Sequence, residues 1–262
     1  MVVIDPEKCI GCGLCAADCC AYNIVIDSGK AALKRPTCIQ CGHCVAICPQ
    51  GAVSIPEYDM ADVEPVTEAG IAPEAMLRLI KMRRSIRDYK PQPVSKEAID
   101  MLIQVARYTA TAKNMQDNSF IFVADRLEEL KELTRKTIDD FTPSDIDTMP
   151  PELRAYAKFN KRFRKDPKDD YLFRNAPALL VITGSRELDA GMAAQNIENV
   201  AVSSGMGALY NGYLRRLFDA SPEIKKWLCA GDKEILCCML LGYPDVSYQR
   251  TAPRAAADTV IL

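Results

Sequence analysis

The chain has 262 residues, 48% of them apolar and 26% charged, the balance of a soluble globular protein with room for one large domain or two smaller ones. Its 33 Lys and Arg against 35 Asp and Glu leave a net charge of −2, which argues against a dedicated nucleic-acid binder. No apolar run approaches the ~20 residues of a membrane helix and no signal-peptide core opens the chain, so no membrane partner is expected and the expected compartment is the cytoplasm.

In chain order the first feature is a pair of cysteine quartets holding eight of the twelve cysteines. Cys9, Cys12, Cys15 and Cys19 read C-x-x-C-x-x-C-x-x-x-C, and Cys38, Cys41, Cys44 and Cys48 repeat the spacing with Pro49 following. Paired C-x-x-C units also bind zinc, and cysteines of secreted chains pair as disulfides. Zinc needs only four ligands, however, and here three cysteines crowd into seven residues twice over, which favours two iron-sulfur clusters and one-electron chemistry. The repeat extends further, since Gly13, Ala17 and Ile26 recur 29 residues on as Gly42, Ala46 and Ile55. The strand-like Asn23–Ile26 and Ala52–Ile55 follow the two cysteine runs.

With these motifs the first sixty or so residues resemble a bacterial-type ferredoxin carrying two [4Fe-4S] clusters. In that family the fourth cysteine of each run serves the other cluster. The resemblance implies Cys9, Cys12, Cys15 and Cys48 on one cluster, and Cys38, Cys41, Cys44 and Cys19 on the other. Cys20 stands where the family pattern has proline after the fourth cysteine, a change that bears on packing or potential at the second cluster. Cys20, Cys229, Cys237 and Cys238 are expected as small core hydrophobes.

From Pro56 to Pro73 the chain turns acidic and loose, reading as a linker, with domains expected at 1–62 and 63–262. A helix is predicted from Pro73 to near Arg83, with Met76, Leu77, Leu79 and Ile80 as its apolar stripe. Ser95 is a predicted N-cap for a helix with Ile99, Leu102, Ile103 and Ala106 in phase, and Ser119–Ala124 reads as a strand. Leu127, Leu130, Leu133 and Ile138 mark a further helix, followed by the highly charged residues 152–170, read as a helix with a mobile excursion. Pro177–Thr183 is predicted as a strand buried on both faces, residues 188–204 as a central helix, and Glu234–Tyr243 as a third buried strand. Strands and long helices alternate irregularly, which predicts an α+β layer.

The single histidine, His43, lies between Cys41 and Cys44 and is expected as a solvated loop residue. Histidine triads and H-E-x-x-H zinc sites are therefore excluded from the rest of the chain. No Walker loop occurs, and Gly205-Met206-Gly207 at a helix end is no dinucleotide fingerprint. What remains is a basic knot, Lys81, Arg83, Arg84, Ser85 and Arg87, whose guanidinium forks and hydroxyl suit a phosphate.

In order, Arg84–Tyr89, Pro93-Val94, a helix, Asn114-Met115-Gln116, a strand, Ala176-Pro177, a helix running into Gly205-Met206-Gly207, and Leu241–Pro244 together resemble the nitroreductase family over roughly residues 75–262. The resemblance implies an FMN-binding α+β domain in a homodimer with flavin at the subunit interface. By position, Arg83, Arg84, Ser85 and Arg87 would meet the flavin phosphate and the polar edge of its ring. Asn114 and Gln116 would reach it from the partner subunit, and the backbone of Ser204, Gly205 and Gly207 would pass along the ring. Arg250 or Arg254 would complete the phosphate site, Arg254 being the better placed. Asp117 and Asn118 stand where the family has proline and an aromatic residue, which bears on substrate choice.

Joined, the two halves imply an oxidoreductase. Reduced ferredoxin or a similar low-potential donor charges the clusters, FMN is reduced in turn, and a small electron-poor acceptor such as a nitroaromatic, quinone or activated alkene takes the electrons. Two alternatives stand beside it: an NAD(P)H-dependent nitroreductase or flavin reductase, and a non-enzymatic electron carrier or redox sensor. No side chain is singled out as catalytic.

Overall fold

The computed structural model describes residues 1–66, 68 and 70–262; Thr67 and Ala69, within the expected linker, lie outside the described residues. The chain divides into two compact units, Met1–Gly70 with Thr111–Met115, and Ile71–Ala110 with Gln116–Leu262.

The first unit is a pseudo-duplicate. Its elements run β1 (Val3–Ile4), α1 (Leu14–Ala17), β2 (Ile24–Asp27), β3 (Lys30–Leu33), α2 (His43–Ala46) and β4 (Val53–Ser54). Strand β1 pairs with β4 and β2 with β3, both antiparallel. The repeat seen in the sequence reaches the dihedral level, because Gly13 and Gly42 open α1 and α2 with the same left-handed backbone, φ 79° and ψ −6°. Between β2 and β3 the two-residue turn Ser28-Gly29 has positive φ at both positions, 48° and 79°, as a tight hairpin requires. Val2, Ile24, Val53 and Ile55 form a small core with Cys15 and Cys44.

Gly11 shows why that core tolerates little change. Its φ is +69°, and a Cβ there would lie 2.1 Å from the carbonyl oxygen of Gly29. Gly51, at φ +56°, has open space around it. Gly11→Ala is therefore expected to cost more than the ~1–2 kcal/mol of left-handed strain alone, and Gly51→Ala about that amount. Thermal melts followed by circular dichroism check this; equal losses at the two positions overturn it.

The second unit is built on a four-stranded sheet. Its elements are α3 (Pro73–Met82), α4 (Lys96–Arg107), β5 (Ser119–Val123), α5 (Leu127–Phe141), α6 (Pro151–Lys165), β6 (Ala178–Gly184), α7 (Glu187–Ser203), β7 (Gly207–Tyr210), α8 (Gly212–Ala220), α9 (Pro222–Trp227) and β8 (Glu234–Gly242). The strand order is β5-β6-β8-β7 and every pair is antiparallel. All seven residues of β6 are buried, because helices cover both faces of the sheet. Leu180 and Ile182 pack with Leu102 of α4 and Ala194 and Ile197 of α7. Leu179 and Val181 point the other way, onto Leu130 of α5, Tyr156 of α6 and Phe218 of α8. The α+β reading holds, and the unbroken apolar run of β6 reports this two-sided cover rather than parallel pairing.

Three details depart from expectation. The apolar stripe of α3 is not in a core, since Met76, Leu77 and Ile80 are 40–50% exposed. Cys238 is buried as expected and Cys237 nearly so, but Cys20 and Cys229 are exposed. The short strands β3 and β7 and the helices α8 and α9 had no counterpart in the sequence reading.

Candidate functional site

The eight quartet cysteines of the first unit line two cavities. One is lined by Cys9, Cys12, Cys15 and Cys48. The other is lined by Cys19, Cys38, Cys41 and Cys44, with Cys20 at its wall. Each cavity thus takes three thiols from one run and one from the other. None of the twelve cysteines is disulfide-bonded. Among the described residues no three His, Cys, Asp or Glu side chains converge around the position of a single metal ion.

Backbone amides point at the sulfurs. Ala31 N–H donates to Cys9 Sγ (3.4 Å), Asn23 N–H to Cys19 Sγ (3.4 Å), Gln40 N–H to Cys38 Sγ (3.3 Å) and Ala52 N–H to Cys48 Sγ (3.3 Å). The amides of Ala31 and Gly11 hold the Cys9 thiol below its ordinary range, so its thiolate is favoured. Burial works the other way on Cys15 and pushes Cys44 up to about 11, each also raised by the sulfurs sharing its cavity. Neutralising such a crowd of thiolates needs positive charge among them, and a soft four-thiol donor set with N–H···S bonds fits an iron-sulfur cluster. His43 is the first residue of α2, exposed, with Nδ1 3.1 Å from Asp18 Oδ2.

In the second unit the chain leaves α3 at Arg83 and runs along the sheet. Ile86 N–H donates to Ala208 O (3.0 Å), Ser85 bridges Ala208, and Lys90 N–H donates to Tyr243 O (2.8 Å). Gly207 is needed for that crossing, since a Cβ there would meet Ile86 Cγ1 at 2.2 Å. Ser204 and Gly205 end α7, with Gly205 at φ 76° and Met206 N–H donating back to Ala201 O (2.8 Å). Ser85 and Ser204–Gly207 thus come to one end of β7.

The Arg83 guanidinium is ion-paired through Nη1 with Glu198 of α7, whose carboxylate is 4% exposed. Gln195 Nε2 donates to the same carboxylate at 3.2 Å. Burial, then the Glu198 charge, holds the Tyr210 phenol above its usual range, so it stays a donor. Arg84 Nη1 donates to the carbonyls of Lys81 and Arg83, and Arg87 Nη1 to Ser85 O (3.4 Å). Two buried guanidinium nitrogens, Arg83 Nε and Arg84 Nη2, have no acceptor among the described residues. Buried donors are ordinarily paired, so this pair suits an anionic group such as a phosphate.

Asn114 belongs to the first unit, where its Nδ2 donates to Ile39 O and Gln40 O, both at 3.0 Å. Gln116 begins the second unit's return with φ 49°. Asp117 Oδ2 accepts from Ser185 N–H (3.0 Å) and Oγ–H (2.5 Å), tying the start of β5 to the end of β6. Arg250 and Arg254 are exposed in the extended segment after β8, and Arg254 Nη1 donates to Pro253 O. Among the described residues no hydrogen bond joins either arginine to Arg83–Arg87. The sequence reading missed Glu198 and Tyr210; a carboxylate inside the otherwise apolar stripe of α7 was the available signal.

Thiol-lined cavities in one unit and a basic crossing on an α+β layer in the other define an iron-sulfur module joined to a redox-enzyme layer. Residues 80–243 match the nitroreductase family and residues 1–49 a 4Fe-4S dicluster domain. The chain belongs to the nitroreductase family and carries an N-terminal 4Fe-4S dicluster domain. An NADPH-dependent oxidoreductase of Staphylococcus saprophyticus is 28% identical over 155 residues, so the match spans 58% of this chain and 58% of that protein's length. A ferredoxin of Thermococcus litoralis is 41% identical over 56 residues, 21% of this chain and 95% of the ferredoxin. An FMN-bound nitroreductase of Bacteroides fragilis superposes with a TM-score of 0.57 at 21% identity, covering 71% of this chain and 98% of that one, a likeness of fold.

Proposed function

We propose that the chain is an FMN-dependent oxidoreductase that takes electrons from ferredoxin or a similar low-potential donor and delivers them to a small electron-poor acceptor. The observation that carries this reading is the pairing, in one chain, of two four-thiol cavities with two acceptorless guanidinium nitrogens on a nitroreductase layer. When bound, [4Fe-4S] clusters supply one-electron storage and FMN supplies exchange between one- and two-electron chemistry.

Cys9, Cys12, Cys15 and Cys48 would hold one cluster and Cys19, Cys38, Cys41 and Cys44 the other. Arg83, Arg84, Ser85 and Arg87 would hold the FMN phosphate and ring edge, and the backbone of Ser204, Gly205 and Gly207 would lie along the ring. Gln116 and one of Arg250 and Arg254 would close the flavin site. A second copy of the chain is the expected partner, and the exposed Met76, Leu77 and Ile80 of α3 give a homodimer an apolar face to cover. Eight thiols kept as ligands call for a reducing compartment, the cytoplasm. Among the described residues no helix is long and apolar enough to cross a membrane.

Replacing Cys12 and Cys41 by serine is expected to abolish acceptor reduction driven by reduced ferredoxin, while dithionite still bleaches the flavin. Unchanged ferredoxin-driven turnover would sink the reading. NAD(P)H as donor is favoured by the likeness to an NADPH-dependent oxidoreductase, and anaerobic stopped-flow mixing with NADPH discriminates the two.

A further inference from the structure

We propose that Asn114 is a positioning residue for the cluster held by Cys38, setting that cluster's potential by fixing the peptide that donates a hydrogen bond to the Cys38 sulfur. This rests on the reading of the thiol cavities as cluster sites. It departs from the role the family resemblance implies for Asn114, which is a contact to flavin.

The geometry is specific. Ile39 and Gln40 are the two residues between Cys38 and Cys41, which line the same cavity. The Asn114 carboxamide nitrogen donates to both their carbonyls at 3.0 Å, with the Tyr58 hydroxyl oxygen a longer third acceptor at 3.4 Å. Carbonyls only accept, which fixes the orientation of the carboxamide. With the Ile39 carbonyl held on one side, the same peptide turns its other edge, the Gln40 N–H, to Cys38 Sγ at 3.3 Å. Gln40 has φ 52°, a conformation that costs a non-glycine residue free energy and persists where its surroundings hold it. The clamp is itself built from unusual backbone. Lys113 and Asn114 both have φ 53°, and asparagine is among the few residues that accept that region readily. The segment Thr111–Met115 belongs with the first unit, although the chain before and after it belongs to the second.

A hydrogen bond to a cluster sulfur stabilises the more negative, reduced state, and so raises the reduction potential. Partners that orient ligands in this way tune the metal without touching it. Loss of the clamp therefore lowers the potential of one cluster and leaves the other alone. Asn114→Asp keeps the shape but sets a carboxylate against two carbonyls, whereas Asn114→Ala only removes the donors. The larger effect is expected for Asp.

The test is an EPR-monitored redox titration of the holoprotein and of N114D and N114A, with iron, sulfide and FMN content measured alongside. The expected result is one [4Fe-4S] couple moved to lower potential, or half of the iron lost selectively, with the other couple and the FMN content unchanged. Hydrogen–deuterium exchange gives an independent readout, the peptide holding Gln40 exchanging faster in both variants and peptides of the buried sheet unchanged. Unchanged couples and unchanged Gln40 exchange overturn the proposal, and weakened FMN retention with both couples unmoved returns Asn114 to the flavin site. Wild-type protein lacking acid-labile sulfide would instead overturn the cluster reading itself.

Discussion

Cys48→Ala is expected to remove the cluster shared with Cys9, Cys12 and Cys15, and to spare the cluster served by the three cysteines next to Cys48 in sequence. The reason is spatial, because Cys48 lines the cavity of the first run and Cys19 that of the second. Cys48→Ala and Cys12→Ala should each lose about half of the iron and the same EPR signal, and the double variant should lose no more than either alone. Cys19→Ala should match Cys41→Ala in the same way. If Cys48→Ala instead removed the signal that Cys41→Ala removes, the crossed assignment would be wrong. The consequence for stability is the same for both clusters. With ligands from both halves of the duplicate, each cluster would tie them together, so losing either one should loosen the whole first unit, whose core cluster of six buried side chains among the described residues is small.

Glu198→Ala is expected to destabilise the second unit by about 3–5 kcal/mol, because it leaves the Arg83 guanidinium without its counter-charge in a largely buried place. Gln195 Nε2 loses an acceptor in the same change, as does the Tyr210 phenol. For a unit of this size the melting temperature should fall by roughly 10 °C. Glu198→Gln keeps an acceptor while removing the charge, so its loss should be smaller. Chemical denaturation followed by circular dichroism measures both, and a loss under about 1 kcal/mol for the alanine variant would show that the pair contributes no more than an exposed one. Arg83 also supplies one of the two acceptorless guanidinium nitrogens. Glu198 therefore orients a side chain proposed to bind phosphate, and FMN retention should weaken along with stability.

Much of this architecture was legible in the chain because the signals were local. The predicted Ser95 cap accepts from Ala98 N–H at 3.2 Å, and α4 begins directly after it. Pro73 opens α3, and the apolar run before Thr183 forms β6. What escaped had short or ambiguous signals. Strand β7 has four residues and begins only two residues after Gly205, so Gly205-Met206-Gly207 read as the end of a helix rather than the approach to a strand. The α3 stripe was correctly in phase, but periodicity tells which residues share a face and not what covers it.

The sequence by itself determined the cysteine spacing, the 29-residue repeat, the basic knot and the α+β alternation, since each depends on residues near one another along the chain. The sharing of Cys19 and Cys48 between the two cavities agrees with what the ferredoxin resemblance implied, whereas only the tertiary structure decided that Glu198 meets Arg83 and that Asn114 sits on the loop between Cys38 and Cys41. Those contacts join residues far apart in sequence. Chain closure and packing choose such partners, and no local pattern of residue types encodes the choice.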